Sequence, residues 1–179
     1  FLPAKTALGR LALLDKNTDE ALRLAGEIQK GIPNAAEGYA LEARALLNAG
    51  KAGEAAKALE SARRRFPELG NLAMLHTEAI WSDGDRQGAR RIASDWVHSH
   101  PQDQTMLGHL GEMYLVSGKE NEAIQVYQSL LALSPNHAQA LNNLAWLLRK
   151  NNPAKALGLA EQAYRLAPQS AAAADTLGW

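Results

Sequence analysis

Prolines recur along the chain at an almost constant interval. The spacing is 34 residues, except for a last interval of 33, along the series Pro33, Pro67, Pro101, Pro135 and Pro168. Alanine keeps the same spacing twelve residues before each proline, at Ala21, Ala55, Ala89, Ala123 and Ala156. Two series with one period indicate an internal repeat, so the chain must be built from copies of one short structural unit.

Within each repeat the sequence favours helices. Leu141, Leu144, Ala145 and Leu148 follow the i, i+3, i+4, i+7 pattern of one helix face. The chain contains 34 Ala and 28 Leu but only 13 Val, Ile and Thr together, which disfavours a sizeable sheet. Proline closes each unit because it cannot donate the helical hydrogen bond. We therefore predict an all-α protein made of helical hairpins.

The turn inside each hairpin is marked by glycine in three repeats. Gly50, Gly84 and Gly118 follow the first helix and can adopt the left-handed conformation that ends a helix. Asn17 and the pair 151–152 stand at the corresponding turns of the first and last full repeats. Asparagine tolerates the left-handed conformation next best, so we expect it to replace glycine there.

The repeats resemble a known family in their signature residues. The unit 104–137 contains the family's small and aromatic residues in order: Leu110, Gly111, Tyr114, Ala123, Tyr127 and Pro135. These residues and the length of 34 resemble the tetratricopeptide repeat. The resemblance covers nearly the whole chain and implies a right-handed α-solenoid of stacked antiparallel helical hairpins. The pairs 42–43 and 76–77 depart from the Leu-Gly signature, so packing should differ there.

The repeat period divides the chain into one continuous array over residues 1–179. The predicted repeats are 2–35, 36–69, 70–103, 104–137 and 138–170, followed by a partial repeat 171–179. Because the partial repeat ends at Trp179, apolar surface of the last full hairpin is exposed to a partner. We expect self-association through this C-terminal end as one alternative.

A finer resemblance concerns the last repeats. The stretches 140–148 and 175–179 are similar to the C-terminal repeats of a bacterial repeat lipoprotein that accompanies the PEP-CTERM/exosortase protein-sorting system and exopolysaccharide genes. This resemblance implies the bacterial envelope or periplasm, with a lipid anchor upstream. The first residue is Phe1 and not Met, so we expect an excised piece. A cytoplasmic location is the alternative.

The tetratricopeptide resemblance also selects candidate binding residues. In that family the second, fifth, ninth, twelfth and thirteenth residues of the first helix point to the concave inner face. From these places we choose nine residues for contact with a protein or peptide partner, because large aromatic side chains flanked by charges can anchor a peptide. They are Arg10, Arg44, Met74, Glu78, Trp81, Glu112, Asn142, Trp146 and Arg149.

Other interpretations of these residues stay open. Trp81 and Trp146 could be half-buried packing residues, and Arg44 could pair with Glu78 across neighbouring helices. The subclass that grips the C-terminal carboxylate of chaperones uses Lys and Asn on its first helices. Thr6 and Arg10 stand at those places here, which argues against chaperone docking of that kind.

No catalytic or cofactor site is predicted. Nineteen basic and nineteen acidic residues leave no net charge for nucleic acid, and the absence of Cys excludes thiolate chemistry. His98, His100 and Asp103 suggest a metal site only weakly, because such a group is usually a loop feature. His76 falls on a core-facing place. The cluster Arg63–Arg65 complements a helix dipole at the end of a second helix.

The sequence thus predicts a non-enzymatic interaction scaffold without metal or cofactor. We expect it to bind a protein or peptide on its concave face as part of a bacterial envelope, exopolysaccharide or protein-sorting assembly. No apolar run is long enough to cross a bilayer. The rival hypothesis is a structural spacer or self-association module without a ligand in its groove.

Overall fold

The computed structural model describes residues 2–178. These residues form eleven α-helices and no β-strand, which confirms the all-α prediction. The helices are α1 (Leu2–Leu14), α2 (Thr18–Gly31), α3 (Ala36–Asn48), α4 (Ala52–Arg65), α5 (Gly70–Ser82), α6 (Arg86–Ser99), α7 (Gln104–Val116), α8 (Glu120–Leu133), α9 (Ala138–Leu148), α10 (Pro153–Leu166) and α11 (Ala171–Gly178). Helices α1, α3, α5, α7 and α9 each begin at the first residue of a predicted repeat.

The helices form two compact units, and the division between Ala93 and Ser94 falls within α6. In the first unit, α1 packs against α2 and α3, while α3 also packs against α4 and α5. In the second unit, α7 packs against α8, α9 against α10, and α11 against both α9 and α10. Short connections make consecutive helices antiparallel neighbours. Each unit is thus a stack of helical hairpins.

The repeated alanines lie where the helices approach most closely. Ala21, Ala55, Ala89 and Ala123 are completely buried, and Ala156 is 2% exposed. Each lies in the first turns of a second helix, where a larger side chain would push the neighbouring helix away. The period found in the sequence is therefore a packing requirement.

Glycine at the signature place of the first helix serves the same purpose. A Cβ atom on Gly111 would stand 2.6 Å from Cε1 of Tyr127, whose ring is buried in α8. Asn143 of α9 donates a hydrogen bond to the Tyr127 hydroxyl at 2.9 Å, which fixes the ring further. Two repeats have Ala43 and Thr77 at this place, and both residues are completely buried. In the third repeat the buried hydroxyl of Thr77 donates to the Ala73 carbonyl at 2.7 Å.

The turns inside four hairpins share one backbone conformation. Gly50, Gly84 and Gly118 have φ values of 72°, 100° and 67°, as the sequence predicted. Lys16, which is 34 residues before Gly50, has a φ of 55°. In both of these turns the residue after the one with positive φ donates its backbone amide to the carbonyl five residues earlier. Asn17 donates to Ala12 in this way, and Lys51 donates to Leu46. The first repeat thus uses lysine where the next three use glycine.

The prediction that asparagine takes the left-handed conformation is wrong. Asn17 has a φ of −85°, and its Oδ1 accepts a hydrogen bond from the Glu20 amide at 3.2 Å. Asn152 has a φ of −149° and accepts from the Lys155 amide in the same way. A carboxamide oxygen can satisfy a free amide at a helix start, so both residues are N-caps. The fifth repeat is one residue shorter, and α9 ends at Leu148 without the left-handed turn.

The strain at Lys16 leads to a stability prediction. Lys16→Gly is expected to raise the free energy of unfolding by about 1 kcal/mol, because glycine takes a positive φ without the Cβ clash. Gly50→Ala is the converse control, since a Cβ at Gly50 meets nothing within 4 Å and only the backbone conformation is strained. Urea unfolding followed by circular dichroism checks both. Unchanged midpoints would show that this turn carries no strain.

Candidate functional site

The first helices of the first unit enclose a groove. Its volume is about 460 Å³, and it is lined by residues of α1 and α3 together with Asn71 of α5. The lining residues are Thr6, Arg10, Leu13, Leu14, Glu37, Ala40, Leu41, Arg44, Asn48 and Asn71. All of them except Leu41 occupy the inward places expected from the repeat. The groove is therefore the surface that stacking of first helices produces.

Arg10 and Arg44 are the two cationic residues of this lining. They occupy the same place in consecutive repeats, and both side chains are exposed. Within residues 2–178 neither guanidinium has a hydrogen bond or an ion pair. The suggested pair between Arg44 and Glu78 is not formed, and Glu78 on α5 is likewise exposed and unpaired in this range. Each guanidinium thus lacks a partner within this range, and together with Glu37, which also lines the groove, the lining carries one net positive charge.

Apolar side chains form the rest of the groove wall. Leu13 is half-buried, Leu14 is 78% exposed, and Ala40 and Leu41 are buried. A partly apolar wall beside fixed polar groups is typical of ligand sites, whose volumes are roughly 300–1,000 Å³. The groove is large enough for a few side chains of a peptide and too small for a folded domain.

Sequence reasoning did not name every polar residue of the groove. Glu37, Asn48 and Asn71 also line it. The signal was present, because all three fall on the second or thirteenth place of a first helix.

The remaining candidates of the first unit lie on α5. Met74 is half-buried, and the indole of Trp81 is half-buried with the Arg86 guanidinium 5.1 Å from its ring centroid. A cation over an indole face stabilises the contact by about 0.5–1 kcal/mol. This contact holds Trp81 against the start of α6, in line with the packing interpretation of this residue.

The candidates of the second unit lie on α7 and α9. Glu112 accepts a hydrogen bond from the side-chain amide of Gln139. Trp146 is 41% exposed, and the Arg149 guanidinium lies over its ring, 3.7 Å from the centroid. Arg149 also donates to the Trp146 carbonyl at 2.5 Å. Trp146 is therefore not a core residue, and its indole is held in a fixed orientation at the surface.

Asn142 lies beside this surface, with its side-chain oxygen buried. It lies one helical turn before Trp146, so the two side chains share a face of α9. Its Oδ1 is buried and has no hydrogen-bond partner among residues 2–178. Unsatisfied buried acceptors are rare in folded proteins, because losing water without a replacement costs free energy. The second unit thus presents an exposed indole beside an unsatisfied amide.

The histidine near the end of α6 has a structural role. The ring of His100 stacks on Trp96 with centroids 3.8 Å apart, and Trp96 Nε1 donates to Asp103 Oδ2 at 2.8 Å. Asp103 Oδ1 accepts from the Met106 amide and caps α7. In the described part of the chain no three His, Cys, Asp or Glu side chains are grouped to hold a metal ion.

The basic cluster at the end of α4 contacts protein groups. Arg65 donates to Asn34 Oδ1 at 2.9 Å, and Arg64 lies 3.4 Å from Glu60. Both arginines thus contact polar groups of the first unit.

His76 is buried, as predicted, and Arg63 Nη1 lies 3.1 Å from its Nδ1. Because a guanidinium can only donate, Nδ1 must accept, and the ring is neutral. Burial, and after it the positive charge of Arg63, lower the pKa of His76 from 6.5 to about 4 against an opposing effect of Glu60.

This buried histidine predicts a pH dependence of stability. Between pH 6.5 and pH 4 the unfolded chain binds a proton at His76 that the folded chain excludes, so stability falls as the pH falls. Relative to His76→Gln, the wild-type free energy of unfolding is expected to drop by roughly 2–3 kcal/mol between pH 7 and pH 4. Urea unfolding at several pH values measures this difference. Parallel pH profiles for the two proteins would contradict the assignment.

The repeat architecture is matched by models of a known protein family. Two family models, both described as tetratricopeptide repeat, match residues 40–103 and 102–169. Together the matches cover more than half of the chain. The chain belongs to the tetratricopeptide repeat family. Helices α1–α10 are therefore five hairpins of this α-solenoid family, as the resemblance implied, and α11 (Ala171–Gly178) is the first helix of a further, partial repeat.

One curated relative is the TPR repeat-containing protein PA4667 of Pseudomonas aeruginosa. It is 29% identical over 178 residues, which are 96% of this chain. The chain spans only 30% of the length of that relative. The tetratricopeptide array described above therefore corresponds to a part of the longer protein.

Solved structures share the fold at low identity. A crystal structure of MamA has a TM-score of 0.74 and 16% identity, covering 90% of this chain and 95% of that one. The thermophilic TPR protein TTC0263 of Thermus thermophilus has a TM-score of 0.71 and 21% identity, covering 99% of both chains. YrrB, described as a TPR protein with an unusual peptide-binding site, has a TM-score of 0.70 and 19% identity, covering 98% of this chain and 91% of that one.

In the described residues, every helix is too short or too polar to cross a lipid bilayer.

Proposed function

We propose that this tetratricopeptide repeat chain is a non-enzymatic scaffold that binds a peptide or protein partner on the face formed by its first helices. The observation that carries the proposal is the groove between α1 and α3, where Arg10 and Arg44 stand unpaired beside an apolar wall. Unpaired charges next to exposed apolar surface are typical of binding sites. Neither the charges nor the apolar surface gain a favourable contact within the folded chain, whereas a partner can supply one. Proteins of this family generally act as non-catalytic scaffolds.

The second unit supplies a further anchor in this proposal. Trp146 presents a large apolar surface whose orientation is fixed by Arg149, so little side-chain entropy is lost on binding. Tryptophan and arginine are enriched among the residues that dominate interface energies. The peptide-binding site that the name of YrrB mentions supports a peptide as one form of partner.

The assembly that this scaffold serves is part of the proposal. We infer a bacterial envelope, exopolysaccharide or protein-sorting assembly, with a lipid anchor upstream of the chain, from the similarity of residues 140–148 and 175–179 to exported repeat lipoproteins. Fractionation of cells that express the full-length gene tests this location. Recovery in the membrane fraction supports it, and recovery in the cytoplasm contradicts it.

The binding proposal predicts the effect of one truncation. A partner identified by photo-cross-linking from position 150, which keeps Trp146 in place, is expected to bind Trp146→Ala at least about tenfold more weakly, because the indole is the main exposed anchor of α9. Leu157→Ala is the matched control, since Leu157 is 53% exposed on the second helix α10. Isothermal titration calorimetry measures both. Equal affinities for wild type and Trp146→Ala would contradict binding at this face.

A second candidate function is self-association. Leu157, Tyr164 and Leu166 are exposed on α10, and apolar surface of this kind can bind a second copy of the chain. Trp179, on which the sequence-based hypothesis rested, lies outside the described residues. Analytical ultracentrifugation tests this alternative: a dimer that Leu157→Glu dissociates supports it, and a monomer at every concentration excludes it.

A further inference from the structure

We propose that the groove of the first unit selects peptides that carry an aspartate or glutamate side chain next to an apolar side chain. This proposal rests on the proposed scaffold function and names the chemistry of one partner. It is argued from the charges, the apolar wall and the amides that line the space between α1 and α3.

The charge of the groove fits a single carboxylate. Arg10 and Arg44 contribute two positive charges and Glu37 one negative charge, which leaves one positive charge to be compensated. A guanidinium has five donors in a planar fork that matches a carboxylate with two parallel hydrogen bonds. Glu37 would repel the second charge of a phosphate group. The groove is therefore complementary to a monoanion.

The two arginines are available for such a ligand. Neither is engaged in a hydrogen bond or an ion pair within the described range 2–178, so binding breaks no existing contact of these groups. They belong to neighbouring helices, since α1 packs directly against α3. Neighbouring helix axes are about 8–10 Å apart, a separation that two arginine side chains can bridge by converging on one carboxylate.

The apolar wall defines the second part of the ligand. Leu13 and Leu14 of α1 face the groove together with Ala40 and Leu41 of α3. Covering them with an apolar side chain removes water from the neighbouring guanidinium groups, and an ion pair that excludes water is stronger than one at the open surface. An acidic residue without an apolar neighbour would leave Leu14 and the exposed part of Leu13 in water, whereas Ala40 and Leu41 are already buried.

The amides of the groove favour a peptide backbone over a small anion. Asn48 and Asn71 line the groove at its α5 side, and neither side chain has a hydrogen bond among residues 2–178. Each carboxamide can both donate to and accept from a peptide group. The Lys and Asn arrangement that grips a C-terminal carboxylate in one family subclass is replaced here by Thr6 and Arg10. We therefore assign the anion to a side chain within the peptide.

The test starts from a library of random short peptides displayed on phage and selected on the 179-residue chain. The best peptide is synthesised with blocked ends, with its acidic residue kept or replaced by the matching amide. Fluorescence anisotropy then gives its affinity for wild type, Arg10→Gln and Arg44→Gln. Arg91→Gln is the matched control, because Arg91 is exposed on the second helix α6 and is likewise unpaired in the described range.

The expected result has three parts. Selected peptides carry Asp or Glu within a few residues of a large apolar residue. Replacing that acid by its amide weakens binding about tenfold, as do Arg10→Gln and Arg44→Gln, which corresponds to loss of one charged hydrogen-bonded contact. Arg91→Gln leaves the affinity unchanged. Thermal unfolding confirms that the variants fold, since the replaced side chains make no contact that the fold requires.

Other outcomes overturn the proposal in distinguishable ways. Peptides without an acidic preference, bound equally by Arg10→Gln and Arg44→Gln but weakened by Leu13→Ala, would retain the scaffold function and reject the acidic partner. Binding only when the peptide has a free C-terminal carboxylate would reject an internal acid. Tighter binding of a phosphoserine version would reject the monoanion. If no peptide is selected, both this inference and peptide binding by the scaffold are contradicted.

Discussion

The structure depends on close approach between helices at one repeated small residue. The alanines near the start of α2, α4, α6, α8 and α10 are almost completely inaccessible to solvent. At such contacts an added methylene forces neighbouring side chains from their rotamers, at a cost of typically about 1–3 kcal/mol. Within each unit the hairpins therefore have this close contact at the same place of the repeat. The constant spacing of these alanines in the sequence results from this packing constraint.

The same constraint produces the candidate site. When hairpins stack identically within a unit, first helices lie beside first helices, and equivalent places form rows. Arg10 and Arg44 become neighbours only because they hold the same place in consecutive repeats. Neither residue is needed for packing, and their partnerless guanidinium groups are not explained by stability. Packing thus determines where each side chain lies, and the residues that take no part in packing are available for binding.

Sequence reasoning predicted the fold because the fold is local and periodic. Proline and glycine mark breaks wherever they occur, and the helices begin where the period requires. The prediction failed at Asn17 and Asn152 because it considered only that asparagine tolerates a left-handed backbone. An asparagine side chain can instead accept a hydrogen bond from a free amide at the start of a helix, and both residues do so. Lys16 was missed for the related reason that its hairpin imposes a positive φ on whatever residue stands there.

The site was less predictable, because side-chain partners depend on geometry that spacing does not give. The repeat placed Arg44 and Glu78 on adjacent first helices but could not show that they do not pair. It likewise could not distinguish Trp81, half-buried under Arg86, from Trp146, which stays at the surface. The repeat pattern alone also did not show that one groove is lined by Glu37, Asn48 and Asn71 together.

Nuclear magnetic resonance tests most directly whether a partner binds in the groove that is lined by the first helices. The arginine Nε–Hε resonances of the chain are followed as a selected acidic peptide is added. If the peptide binds in the groove, the signals of Arg10 and Arg44 are expected to shift, while those of Arg64 and Arg91 on the second helices stay in place. Shifts confined to Arg64 and Arg91, with Arg10 and Arg44 unchanged, would contradict binding in the groove.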